Sequence, residues 1–200
     1  MRSLLNMIGR RENQSQDTNR PLLSVNPRQS AENASTQMRQ TNAKYSGQYD
    51  SENRRHGKGV LVLRNGHTYV GQWVNGKFNG EGGHFWNKKR LFYGQWKDGK
   101  AHGEGVHKFL NGDQYSGQFK EDQMHGIGRY IYKNGTEYYG QWKDNKQNGE
   151  GLLYKQYETY QGQWKDAKKH GKGLRNDLIS EEIYKELWYN DQKIDEKRIF

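Results

Sequence analysis

A short unit of sequence recurs six times between Tyr45 and Gly173, and this periodicity limits what the chain can fold into more than any other property. Its first aromatic falls at Tyr45, Tyr69, Phe92, Tyr115, Tyr138 and Tyr160, so successive copies lie 24, 23, 23, 23 and 22 residues apart. Two residues on stand Gly47, Gly71, Gly94, Gly117, Gly140 and Gly162; two further stand Tyr49, Trp73, Trp96, Phe119, Trp142 and Trp164. A second signature follows in each copy as a Gly-x-Gly pair: Gly57 and Gly59, Gly80 and Gly82, Gly103 and Gly105, Gly126 and Gly128, Gly149 and Gly151, Gly171 and Gly173. A fixed period of this length signals a repeat architecture, in which each unit buries its surface against its neighbours.

Aromatic-x-Gly-x-aromatic reads as a strand, because residues i, i+2 and i+4 share one face when side chains alternate. Glycine weakens a strand interior, but its missing side chain leaves room for rings to lie flat on the backbone. Turn chemistry agrees: Asp98-Gly99 follows an aromatic strand, and Asn65-Gly66, Asn111-Gly112 and Asn134-Gly135 follow Gly-x-Gly strands, all dipeptides that favour tight hairpins. No room remains for crossover helices. The pattern therefore predicts an all-β, elongated and twisted antiparallel meander of about six hairpin repeats. Twelve or thirteen strands spaced by roughly 4.8 Å give a sheet on the order of 60 Å long.

These residues carry a resemblance. Tyr-x-Gly-x-Trp, Gly-x-Gly and Asn-Gly alternating at this period resemble the MORN repeat, the membrane occupation and recognition nexus motif, from Tyr45 to Gly173. Two turns depart from it: Lys88, Lys89 and Arg90 stand in place of Asn-Gly after the second copy, and Tyr157-Glu158 after the fifth.

Three segments are expected: a polar, basic extension over residues 1–44, disordered alone or docked on a partner; six repeats over 45–174; and a degenerate capping half-repeat with a tail over 175–200. The extension contains no aromatic residue and holds seven Lys/Arg against three Asp/Glu. Within it, Leu4, Leu5 and Ile8 could share one side of a helical turn. In the last segment Tyr184 and Trp188 keep the aromatic spacing while Glu186 occupies the glycine position. Glu181 to Lys185 could form a helical turn, and the final IDEKRIF reads as a loose end or a partner hook.

Hydrophobic residues make up 30% of the chain and mean hydropathy is −1.34, so the aromatics packed on glycine must supply much of the burial. The absence of cysteine removes disulfides, thiol catalysis and cysteine-ligated zinc, and together with the lack of a secretory signal or apolar span it leads to the expectation of an intracellular protein. A net charge of +10 favours acidic partners in general. Interleaved charges give no continuous basic stripe, which disfavours nucleic acid.

Candidate sites follow the period. His56, His102, His125 and His170 each precede the first glycine of a Gly-x-Gly pair, and His84 and His107 are equivalent to each other; all read as repeated structural or surface positions, about 10 Å apart and too distant to share one metal. No phosphate-binding loop occurs, Glu81, Glu104 and Glu150 are repeated surface carboxylates, and no Ser-His-Asp set stands apart, so neither a catalytic residue nor a cofactor is expected. The rings of Tyr69, Trp73, Phe92, Trp96, Tyr115, Phe119, Tyr138, Trp142, Tyr160 and Trp164 have two readings: a core that covers the glycines, and a shallow groove for a partner's extended peptide or helix. Lys88, Lys89 and Arg90 form a candidate contact for an acidic partner.

The resemblance implies a scaffold or assembly subunit. MORN arrays occur in radial-spoke heads of motile cilia, junctional membrane tethers and cytoskeletal scaffolds, and beside catalytic domains such as phosphoinositide kinases; no catalytic domain accompanies them here. A radial-spoke-like role in the ciliary axoneme, with protein subunits as partners and edge-to-edge association open, is the favoured expectation. Its rivals are a membrane-contact module that binds anionic lipid and an auxiliary subunit of an enzyme complex.

Overall fold

Twelve glycines lie in one line across the sheet, each paired with the next: Gly47, Gly59, Gly71, Gly82, Gly94, Gly105, Gly117, Gly128, Gly140, Gly151, Gly162 and Gly173. This spine is the register of the fold. A computed structural model describes residues 43–200; the expected N-terminal extension lies outside the described residues except for Ala43 and Lys44, and Lys44 already belongs to the first strand.

Fourteen antiparallel strands form a single sheet in strict sequence order. The aromatic strands are β1 (Lys44–Tyr49), β3 (His67–Val74), β5 (Lys89–Lys97), β7 (Gln114–Lys120), β9 (Glu137–Lys143), β11 (Glu158–Lys165) and β13 (Ile183–Tyr189). Between them run the Gly-x-Gly strands β2 (Arg55–Val62), β4 (Lys77–Trp86), β6 (Lys100–Lys108), β8 (Gln123–Ile131), β10 (Lys146–Lys155) and β12 (Lys168–Asp177), and β14 (Gln192–Arg198) closes the series. The described residues contain no helix. The meander expected from the sequence is therefore the fold, and it is longer by one or two strands. Within residues 181–185, Ile183 to Lys185 open β13 in place of a helical turn, and the charged tail enters β14, so the half-repeat is a complete hairpin.

Two kinds of turn join the strands. β1 and β2 are joined by a longer loop over residues 50–54; from β3 onward, those after aromatic strands are two-residue turns with both φ positive, as at Asn75-Gly76, Asp98-Gly99, Asp144-Asn145 and Asn190-Asp191, the geometry whose twist matches paired strands. Each also ties to the repeat before it, for example Asp122 N–H to Ala101 O at 3.0 Å and Asn145 N–H to Met124 O at 3.1 Å. Where the second turn residue is Asp or Asn, its side chain returns the bond: Asp122, Asn145 and Asp191 accept from the amides of Ala101, Met124 and Lys169 at 2.7, 2.8 and 2.7 Å.

The Asn-Gly turns are longer loops, in which Asn65, Asn111 and Asn134 accept from the amide two residues on. At the two departures the turn residues sit one position earlier than the sequence suggests: Asn87-Lys88 and Gln156-Tyr157 form the bends, while Lys89, Arg90 and Glu158 are already in strands.

Candidate functional site

One face of the sheet carries the rings. Each ring at the first aromatic position covers glycines of the spine: a Cβ placed on Gly151 would lie 2.3 Å from the Tyr138 hydroxyl, and one on Gly82 would lie 2.3 Å from that of Tyr69. The tyrosine hydroxyl turns back along its own strand and donates to the carbonyl three residues on, as Tyr69 does to Gln72 at 3.0 Å and Tyr138 to Gln141 at 3.0 Å. Burial pushes the hydroxyls of Tyr69, Tyr115, Tyr138 and Tyr160 well above the ordinary tyrosine range.

Tryptophan at the second aromatic position stands edge-on to two such rings. Trp96 lies 5.4 Å from the Tyr69 ring and 4.9 Å from Phe92, and Trp142 lies 5.3 Å from Tyr115 and 5.2 Å from Tyr138. The indole N–H then donates to a spine carbonyl in the previous repeat: Trp73 to Gly59, Trp96 to Gly82 and Trp142 to Gly128.

All ten rings named as a candidate partner face are buried, between 0% and 7% exposed. The shallow groove expected between them is filled by the rings themselves, so they are the core of the protein. Gly47, Gly71, Gly94, Gly117, Gly140 and Gly162 occupy the spine as the repeat pattern requires.

His84 and His107 depart from expectation. They are 6% and 4% exposed, not surface residues. They hold the same register slot on the ring face as Leu61, Tyr130 and Leu153, directly across from the first aromatic of a neighbouring strand. Burial pushes both imidazoles down to about 4. His67 Nδ1 lies 2.9 Å from His84 Nε2. Among the described residues no group of three or more His, Cys, Asp or Glu is placed to hold a metal.

Sequence reading passed over the glutamine that follows the strand glycine in every copy: Gln48, Gln72, Gln95, Gln118, Gln141 and Gln163. Each Gly-x-Gly strand bulges against the aromatic strand before it, so that Gly80 and Glu81 find no partner between the pairs Gly71–Gly82 and Gln72–Asn79. The first glycine turns to positive φ, +60° at Gly80, a conformation that favours glycine. The glutamine carboxamide fills the gap by accepting the amide of the next residue, as from Lys58 to Gln48 at 2.9 Å and from Glu150 to Gln141 at 2.8 Å. The signal was its identity in all six copies.

The opposite, back face has no covering layer among the described residues. Its central row runs Val60, Val70, Gly83, Tyr93, Val106, Ser116, Arg129, Tyr139, Leu152, Gln161 and Leu174, paired strand to strand. Val70, Tyr93, Tyr139 and Leu174 are each more than 40% exposed. Lys88, Lys89 and Arg90 are exposed at one end of the β4–β5 hairpin, and the Arg90 guanidinium lies 5.7 Å from the Tyr93 ring centre.

The MORN repeat family pattern matches residues 45–68, 69–88, 92–114, 115–137, 138–156 and 160–175, well over half of the chain. The chain belongs to the MORN-repeat family. No curated protein matches it. MORN repeats are modules for binding protein or lipid, and a MORN scaffold is the activity class that this array supports.

Proposed function

We propose that this MORN protein is a non-catalytic scaffold subunit that holds protein partners on the back face of its sheet, within a radial-spoke-like assembly of the ciliary axoneme. One observation carries the partner-binding half of this reading: the ring face spends its aromatics on the core, whereas Val70, Tyr93, Tyr139 and Leu174 line up exposed on the other side. Exposed apolar side chains gathered in one row of a sheet face suit an interaction site, and aromatic side chains are the usual anchors of one. Lys88, Lys89 and Arg90 extend it with positive charge toward an acidic partner. The axonemal half rests on family resemblance, since MORN arrays occur in radial-spoke heads.

Affinity capture of the tagged full chain from ciliated cells, compared with Tyr93→Glu and Tyr139→Glu, tests both halves. Axonemal proteins recovered by the parent and lost with both variants are the expected result. Recovery that is unchanged in the variants removes the back face, and recovery of catalytic subunits alone removes the axonemal assignment.

A second reading has its own observation. Lys97, Lys120, Lys143 and Lys165 end successive aromatic strands at one long edge and form no ion pair among the described residues. Such a row suits anionic lipid, at about 1 kcal/mol for each lysine near the surface. Retention of the purified chain on phosphatidylserine vesicles, but not on neutral ones, is its signature.

A further inference from the structure

We propose that β1 is a pairing edge for a second copy of this chain, joined about a two-fold axis so that Gly47 of each copy lies opposite Gly47 of the other and the glycine spine runs on through the dimer. This inference is independent of the ciliary reading.

The backbone sets the geometry. Asp50 N–H bonds to Arg54 O across the β1–β2 turn, and hydrogen-bonding direction alternates along an antiparallel strand. Lys44, Ser46, Gln48 and Asp50 therefore face β2, while Tyr45, Gly47 and Tyr49 direct their N–H and C=O groups outward. Every other aromatic strand has both sides paired. In the two-fold arrangement Gly47 pairs with Gly47, and Tyr45 of each copy pairs with Tyr49 of the other, so these outward groups satisfy one another.

Side chains agree with that register. On the back face Lys44 of one copy falls opposite Asp50 of the other on each side of the axis. The Asp50 carboxylate is fixed in its own turn by Arg54 at 2.8 Å and by the amides of Glu52 and Arg54, and it adds the Lys44 charge to that set. On the ring face the edge lacks one ring. The rings equivalent to Tyr49 are Trp73, Trp96, Phe119, Trp142 and Trp164, all at most 7% exposed, whereas Tyr49 is 52% exposed. Each of those equivalents stands 5.2–5.4 Å from the first ring of the preceding repeat. Tyr49 lacks such a ring among the described residues, and in the dimer Tyr45 of the second copy stands directly across from it on the adjoining strand.

The other edge explains why the association closes. β14 reads QKIDEKR and is exposed along its whole length. Charged edge strands resist pairing, so head-to-tail growth of β1 on β14, which would build an open filament, is opposed, whereas a two-fold β1 contact ends at two copies.

Sedimentation equilibrium of the full chain, together with amide exchange at Tyr45, Gly47 and Tyr49 over a concentration series, tests this. The expected result is a reversible monomer–dimer equilibrium with those three amides slowing as the dimer fills, and a dimer weakened several-fold by Lys44→Asp. A monomer at every concentration with fast amides overturns the proposal. So does a monomer with slow amides, which assigns the edge to residues 1–42 of the same chain, or a dimer indifferent to Lys44→Asp that leaves the three amides fast.

Discussion

The two ends of the sheet stop in different ways. At β1 the repeat pattern is intact up to the edge, with spine glycine, covering tyrosine and clamping glutamine all present at Gly47, Tyr45 and Gln48. At β13 the spine ends on Glu186, paired with Gly173 on one side and Glu196 on the other. Its carboxylate is buried and accepts from Arg175 at 2.9 Å and from the Trp188 indole at 2.9 Å, with Lys193 3.2 Å away. Arg175 and Lys193 also reach Glu196, at 2.9 and 2.8 Å, and Lys193 followed by Arg175 holds the Glu196 carboxyl down at about 2. The Lys169 ammonium lies 3.9 Å from the Tyr160 ring centre and 4.5 Å from that of Trp188. A cluster of paired charges stands around the position that a spine glycine holds in every repeat before it. An array of identical units needs an end unit that differs, because only a differing unit can refuse another copy.

Substitutions graded along the sheet sharpen this contrast. The largest effect is expected in the middle of the spine. A Cβ on Gly140 would lie 2.5 Å from Gly151 Cα, 2.6 Å from Glu150 O and 2.7 Å from the Tyr138 hydroxyl. Two of these are backbone atoms that cannot step aside, so Gly140→Val should cost more than about 4 kcal/mol, read as a collapse of the urea midpoint. The nearest atoms belong to the paired Gly-x-Gly strand and to the Tyr138 ring that covers it.

Next in size is the cap. Glu186→Ala takes the buried carboxylate from Arg175 and Lys193, which keep only Glu196, so the cost falls at the low end for such a pair, roughly 3 kcal/mol. The loss should be confined to β12–β14, so chemical denaturation should show an early step that removes Trp188 fluorescence while the rest of the sheet persists. A single unshifted transition would dissolve the distinction between the two ends.

Acid acts on the interior. His84 and His107 are held neutral, their folded pKa of about 4 lying below the ordinary 6.5. The unfolded chain therefore takes up protons that the fold refuses, and stability is complete above pH 6.5 and is lost as pH falls toward 4. Each buried imidazole contributes roughly 3 kcal/mol to that loss. His107→Leu, which installs the residue found at the equivalent Leu61 and Leu153, should flatten the profile in thermal melts between pH 7 and 4.

The smallest effect belongs to the clamp. Gln141→Ala leaves the Glu150 amide to the solvent at the bulge and should cost about 1 kcal/mol. At the open edge Gln48→Ala should cost less, since β1 has one neighbour only, and the difference between the two midpoints measures how far the ends differ from the middle.

How much of this was legible in the sequence depends on what repeats. Tyr138, Gly140 and Trp142 announce strand, spine and ring in every copy, and the fold follows from them. Burial of His84 and His107 was also legible in principle, because Leu61, Tyr130 and Leu153 share their slot, but a polar residue at an apolar position reads as surface until register is known. The bulge was hidden in Gly-x-Gly, where the first glycine serves the bend and only the second joins the spine. β14 carried no signal at all: QKIDEKR alternates nothing and becomes a strand because β13 offers it an edge and the pairs Arg175–Glu196 and Lys193–Glu186 hold it there. The back-face row was equally invisible, since Val70, Tyr93, Tyr139 and Leu174 occupy positions where other copies carry Ser116, Arg129 or Gln161, and only pairing brings them into line.

The central claim is that rings lie over a continuous glycine spine from β1 to β12, and the glycine α-proton chemical shifts of the full chain test it most directly. Protons of Gly59, Gly82, Gly128, Gly151 and Gly173 sit beneath tyrosine rings, whereas Gly76, Gly99 and Gly135 have no heavy atom within 4 Å of an added Cβ. The account predicts ring-current upfield shifts for all five spine glycines and ordinary shifts for the three turn glycines. Spine glycines that resonate with the turn glycines would contradict it.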